Sequence, residues 1–184
     1  MQMVIPGEVT EIVGRRSAGR TSVLVACLAD VTRAGGIAAL IDAEDVLDVD
    51  SAARAGVELR RLLWVRCGQA PRRVALRAVD MLVRCRGFSL IAWDTGDTPP
   101  RLPMTVAFRL KLAARRSETA LLIVAPRRIA GAAAALAVEA RPQGIRWEGS
   151  PLPARLDGMR IGLKVIRSRS GQERTPVKPW ELHA

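Results

Sequence analysis

Val9-Thr10-Glu11-Ile12-Val13-Gly14-Arg15-Arg16-Ser17-Ala18-Gly19-Arg20-Thr21-Ser22 is the stretch on which the fold turns. A short β-rich run ends at Gly14 and a helical pattern opens at Thr21. Between them the chain fits G-x-x-x-x-G-K-[ST] at every fixed position but one, because Arg20 stands where lysine belongs. Such a loop lets backbone N–H groups point inward and hold phosphate oxygens at a helix N-terminus. Gly14, Gly19, Arg20, Thr21 and Ser22 are therefore the nucleotide-binding-like set. Thr21 would offer its hydroxyl to Mg²⁺. The lysine of the motif acts as a compact point charge, whereas arginine brings a wider planar fork. With Arg15 and Arg16 beside it, the loop is either a weakened nucleotide site or a relic kept because the fold needs the turn.

Outward from this loop, apolar runs alternate with helical patterns. Thr21 to Ala34 places Leu24, Cys27, Leu28 and Val31 on one helix face, and Gly35 and Gly36 stop it. Strands are predicted at Ile37–Ile41, Leu62–Arg66, Phe88–Trp93 and Ala120–Val124. Helices open at Pro71 and Pro103, with Val74, Ala75, Ala78, Val79, Leu82 and Val83 facing the core on the first and Val106, Ala107, Leu110 and Ala114 on the second. Strand–helix–strand order at these spacings means right-handed βαβ units and a parallel sheet. After Pro126 the pattern predicts strands at Ala132–Ala140, Gly144–Trp147 and Met159–Arg167, joined by tight turns into an antiparallel extension. The expectation is an α/β fold, a three-layer αβα core over residues 1–167, followed by a basic, proline-containing tail over 168–184. Trp180 in that tail either anchors a partner or folds back on its own domain.

The 184 residues carry 29 basic and 18 acidic side chains, a net charge of +11. Lysine accounts for only three of the basic residues, Lys111, Lys164 and Lys178; the other 26 are arginine. The charge suits acidic partners or sequence-independent DNA contact, and equally a solvated surface shaped by genome composition. Aromatic residues at 3% leave few rings for stacking single-stranded bases. Cys27, Cys67 and Cys85 with the lone His183 make no ordinary structural zinc site, and reduced cysteines fit a cytoplasmic protein. No apolar run is long enough to span a bilayer. Cys27 and Cys85 are expected as small core hydrophobes, and Trp64 and Trp93 as core residues of their strands.

Two acids fall where a phosphate-loop enzyme wants them. Asp94 ends the apolar run Phe88–Trp93, and Glu44 follows the second strand. Asp94 is placed to orient a metal and Glu44 to polarise a water; the bland reading of each is a strand-end acid capping the next element.

In order, Gly7-Glu8-Val9-Thr10-Glu11-Ile12-Val13-Gly14, the loop, Leu40-Ile41-Asp42-Ala43-Glu44, Leu47-Asp48, Ala55-Gly56-Val57, the Asp94 strand and Leu163-Lys164-Val165-Ile166-Arg167-Ser168-Arg169 resemble the RecA recombinase family. The resemblance implies a RecA-like core in which Glu44 matches the catalytic carboxylate and Asp94 the metal-serving acid. It also implies that Arg167 and Arg169 match basic residues reaching a neighbouring subunit's ATP. The departures are Arg20, Pro126 in place of a γ-phosphate-sensing glutamine, and short connections where recombinases carry DNA-binding loops. The linking N-terminal helix and the C-terminal domain have no counterpart either.

A trimmed, catalytically degraded RecA-like domain resembles the ImuA-type accessory family of bacterial, DNA-damage-induced translesion synthesis. That resemblance implies a cytoplasmic protein, nucleoid-associated when engaged and monomeric alone. Its implied partners are RecA, an inactive Y-family polymerase homologue and an error-prone replicative-type polymerase. It implies no cofactor, Glu44 and Asp94 being vestigial. The alternatives are a weak ATPase using ATP and Mg²⁺ through Thr21, Glu44 and Asp94, direct nonspecific DNA binding, and a SulA-like division inhibitor.

Overall fold

The computed structural model describes residues 2–68, 71–149, 155–169 and 180–183. Chain order is β1 (Val9–Val13), α1 (Arg20–Arg33), β2 (Ile37–Asp42), α2 (Val49–Arg54), β3 (Leu62–Arg66), α3 (Pro71–Leu82) and β4 (Phe88–Asp94), then α4 (Met104–Ser117), β5 (Ala120–Ala125), β6 (Leu136–Glu148), β7 (Arg155–Ser168) and β8 (Trp180–His183). The strands form one sheet in the order β3-β2-β4-β5-β1-β6-β7-β8. All pairs from β3 to β6 are parallel; β7 is antiparallel to β6, and β8 to β7.

Alternate residues of the central strands feed two cores. Ile12, Leu40, Leu90 and Leu122 pack with Leu24 and Leu28 of α1 on one face. Ile41, Ile91, Trp93 and Ile123 pack with Val79 of α3 and Leu110 of α4 on the other. Apolar residues at every strand position are what a doubly covered parallel sheet requires, and they make the three layers.

The segment after β5 departs from expectation. Ala132–Ala140 and Gly144–Trp147 are not two strands joined by a tight turn. Leu136–Ala140 and Gly144–Trp147 belong to the single strand β6, Ala132 and Ala133 lie in a turn of 3₁₀ helix at Gly131–Ala133 before it, and β6 runs parallel to β1. Pro142 lacks a donor, and the ladder absorbs it with a register shift between Pro142 and Gly144. The antiparallel part begins only at β7. Cys85 is exposed, contrary to the core assignment, because α3 ends at Leu82 and the chain has already left the helix face that buries Val79 and Val83. Val74, at the other end of that helix, is exposed too. Trp93 is fully buried, whereas Trp64 is only partly so and donates its Nε1–H to Asp42. The backbone at Trp180 pairs with Ile161 as the edge strand β8; Pro176 and Pro179 lie outside the described residues.

Candidate functional site

β1 delivers the chain to the loop at the C-terminal rim of the parallel strands. Gly14 N–H donates to the Ala125 carbonyl of β5, and Ser17 and Gly19 take positive φ, 60° and 87°. Gly19 is the cap from which α1 starts, and its carbonyl accepts from Val23 N–H. A Cβ at Gly19 would lie 2.2 Å from Ile161 Cδ1, and one at Gly14 would lie 3.1 Å from the Ala140 carbonyl oxygen. Gly19 is thus required by close approach and by its dihedral, and Gly14 sits where a Cβ would be tightly crowded. Ile161, fully buried, brings β7 against the crest of the loop.

Arg20 folds back across the loop and is 8% exposed. Its Nη1 donates to the Gly14 carbonyl at 3.1 Å and its Nη2 to Asp97 Oδ1 at 2.5 Å. Arg16 Nε, on an almost fully exposed side chain, reaches Asp97 Oδ2 at 3.3 Å. Asp97 N–H in turn donates to Glu44 Oε1 at 2.8 Å, and the Glu44 side chain lies where a Cβ on Gly96 would fall. The structure therefore joins Gly14, Arg20, Glu44 and Asp97 in one network. Asp97 was not among the residues singled out from sequence. The available signal was an acid three residues past Asp94, facing a loop with surplus arginines.

Asp94 is buried at the end of β4, in register with Asp42 of β2. Its Oδ1 accepts from Gly96 N–H at 3.0 Å. Burial raises its pKa above the usual 3.8, against the opposing pull of that N–H and of Arg20; the charges of Asp42 and Glu44 push it further up. Asp42 turns one oxygen to the N–H groups of Val46 and Leu47, while its buried Oδ1 has no hydrogen-bond partner. Thr21 is exposed, Ser22 is half-buried, and neither hydroxyl is hydrogen-bonded among the described residues. No group of three or more His, Cys, Asp or Glu side chains suited to a metal occurs among them. The residues present fit a nucleotide poorly. The loop is closed around Arg20, whose charge Asp97 already neutralises, and Ile161 abuts its crest.

A second network fixes the segment after β5. Glu11 of β1 is wholly buried, and its Oε1 accepts from the N–H groups of Ile129 and Ala130, both at 2.7 Å. Arg128 Nε donates to Glu11 Oε2 at 3.2 Å. This carboxylate was also missed from sequence, where it reads as one polar residue inside an apolar strand.

Arg167 and Arg169 sit at the opposite rim of the sheet, because β7 runs back from the loop end toward the start of β1. Arg167 Nε donates to the Ala134 carbonyl at 3.2 Å. Arg169 Nη1 lies 3.9 Å from Glu8 Oε2, a charge contact beyond hydrogen-bond reach. Neither joins Arg20, Glu44 and Asp94. Trp180 lies on β8, and nothing is assigned to its side chain.

The profile of the RecA N-terminal domain family matches residues 3–99. Protein RecA of Leifsonia xyli subsp. xyli is 42% identical over 89 residues, 48% of this chain and 24% of that protein. Protein RecA of Mycobacteroides abscessus is 43% identical over 89 residues, again 48% of this chain and 25% of the relative. The aligned stretch thus spans about a quarter of these relatives' length. With more than half of its residues inside the family match, and with the loop, β4 and the sheet order of a RecA-like α/β core in place, the chain belongs to the RecA N-terminal domain family.

Proposed function

We propose that this chain is a catalytically degraded, RecA-like accessory protein that works by binding RecA and so limits filament growth or recombination. On this reading it belongs to the ImuA-type accessories of translesion synthesis, with the inactive Y-family polymerase homologue and the error-prone polymerase as further partners. The observation that carries the reading is the closed loop. Arg20 spends its guanidinium on Gly14 and Asp97, while the surrounding scaffold is kept intact. The segment after β5, a DNA-holding loop in recombinases by the resemblance above, is instead fastened to the buried Glu11. A subunit offering one complementary face without a working engine caps a head-to-tail assembly. The rim carrying Arg167 and Arg169 is the face such a cap would turn toward a neighbour's loop.

The test is binding of the purified chain to RecA, with and without single-stranded DNA, measured by light scattering of the growing filament. Sub-stoichiometric chain is expected to shorten filaments, and Arg167→Glu with Arg169→Glu to lower that potency by about tenfold, a loss of about 1.4 kcal/mol. No interaction with RecA in either condition would overturn the reading. A weak ATPase is the second reading, favoured by the exposed, unbonded Thr21 hydroxyl at the helix start. Titration calorimetry with ATP and Mg²⁺ separates the two: micromolar affinity that Thr21→Ala abolishes belongs to the enzyme.

A further inference from the structure

Away from the loop, the C-terminal ends of α3 and α4 flank an open cavity of about 230 Å³ lined by Arg84, Arg86, Ala113, Arg116 and Ser117. Its arginines are unequally engaged. Arg84 Nη2 donates to Asp80 Oδ1 at 3.0 Å, and Arg109 Nε reaches the same oxygen at 3.3 Å, tying α4 to α3. That single carboxylate is held below its ordinary pKa by the two guanidiniums, against the upward push of partial burial. Arg86 and Arg116 have no ion-pair or hydrogen-bond partner among the described residues. Arginines at helix C-termini ordinarily complement the dipole, and both helices end here. That role does not exhaust these. Ser117 Oγ already donates toward the carbonyls of Val83 and Ala113, at 2.7 and 3.1 Å. Two helix ends amount to roughly half a charge each. Set with Asp80 against four guanidiniums, they leave a surplus that stays positive even when the exposed Glu118 is counted.

Along α4, Phe108 and Leu112 are exposed and lead at four-residue spacing to Arg116 of this cavity. Large apolar side chains interleaved with cations are the complement of an amphipathic acidic segment. Phe108 is the one aromatic ring among them and gives successive bases no stacking platform, so a nucleic acid is the poorer fit. We propose that the α3–α4 face is a docking site for an acidic amphipathic segment of a partner protein. One carboxylate of that segment enters the cavity between Arg86 and Arg116, and its apolar residues lie on Phe108 and Leu112. The site is separate from the loop; it borders the Arg167–Arg169 rim only at Phe108, over whose ring Lys111 lies. It stands whether or not the chain binds RecA.

The test uses the whole chain with two labelled probes: a synthetic helical peptide with glutamate on one face and leucine on the other, and a single-stranded oligonucleotide. Fluorescence anisotropy is expected to show saturable peptide binding. Arg86→Glu with Arg116→Glu should weaken it at least about tenfold, and Leu112→Ser several-fold. Arg127→Glu, an exposed charge change elsewhere, should leave it unaltered. Amide chemical-shift mapping on the unmodified chain should place the perturbed signals at Arg86, Leu112 and Ser117, which needs no variant to fold. Absence of peptide binding would overturn the proposal. So would peptide affinity indifferent to Arg86 and Arg116, shifts mapped elsewhere, or an oligonucleotide competing with the same residue dependence.

Discussion

Asp97 serves three partners at once: Arg20 and Arg16 through its carboxylate and Glu44 through its N–H. Asp97→Ala leaves Arg20 buried with only the Gly14 carbonyl to bond. Because Asp97 is itself about one-third exposed, the loss is screened, and a destabilisation of about 1 kcal/mol in urea melts is expected. The same change frees the guanidinium, so anion affinity of the loop, read with pyrophosphate by calorimetry, should rise as stability falls. Asp94 gives a prediction of opposite sign. Its folded pKa lies above the unfolded 3.8, so the folded state holds the proton more tightly. Its contribution is most favourable below pH 3.8 and is eroded as pH climbs from there through the raised value. Asp94→Asn, which keeps an oxygen for Gly96 N–H, should therefore stabilise the chain at neutral pH and lose that advantage in acid. Chemical denaturation across a pH series checks it.

At the scale of elements, the parallel half of the sheet was legible because its strands are short, mostly apolar runs set between helical patterns, with β1 closed by Gly14 and β5 by Pro126. The buried helix stripes were legible because the 3.6-residue period repeats without interruption. What misled was local punctuation. Pro142 and Gly144 look like a turn between two strands, yet pairing with the long strand β7 keeps β6 continuous through a bulge. Of the site, Gly14, Gly19 and Arg20 were readable from spacing alone. Asp97 and Glu11 were not, since both act across sequence gaps that only the crossovers close. Cys85 and Cys27 make the contrast between pattern and burial measurable. Burial in the α1 face pushes the Cys27 thiol up to about 12, with the charge of Asp30 adding to the effect. Iodoacetamide at neutral pH should modify Cys85 promptly and Cys27 only after unfolding, as peptide mass mapping would show.

At the scale of the molecule, the sheet has two rims of different character. The C-terminal rim carries the loop with its ion-paired arginine; the opposite rim carries Arg167 and Arg169 beside Lys111 and Arg115. Lys111 is nearly buried there, over the Phe108 ring at 5.9 Å. Burial first, then Arg169, lowers its pKa, while Glu8 opposes the shift. A cation kept at this cost beside other cations shows how unevenly the +11 is distributed.

The stitching at the C-terminal rim has a consequence for motion. Chain leaving β1, β2 and β4 is tied to Arg20, Glu44 and Asp97, so the three crossovers have no independent freedom. Deuterium uptake at Gly14, Val46 and Gly96 should follow one shared opening event instead of three separate local ones, and Asp97→Ala should split it. A rim that breathes only as a unit would offer no separately moving parts to respond to a bound phosphate.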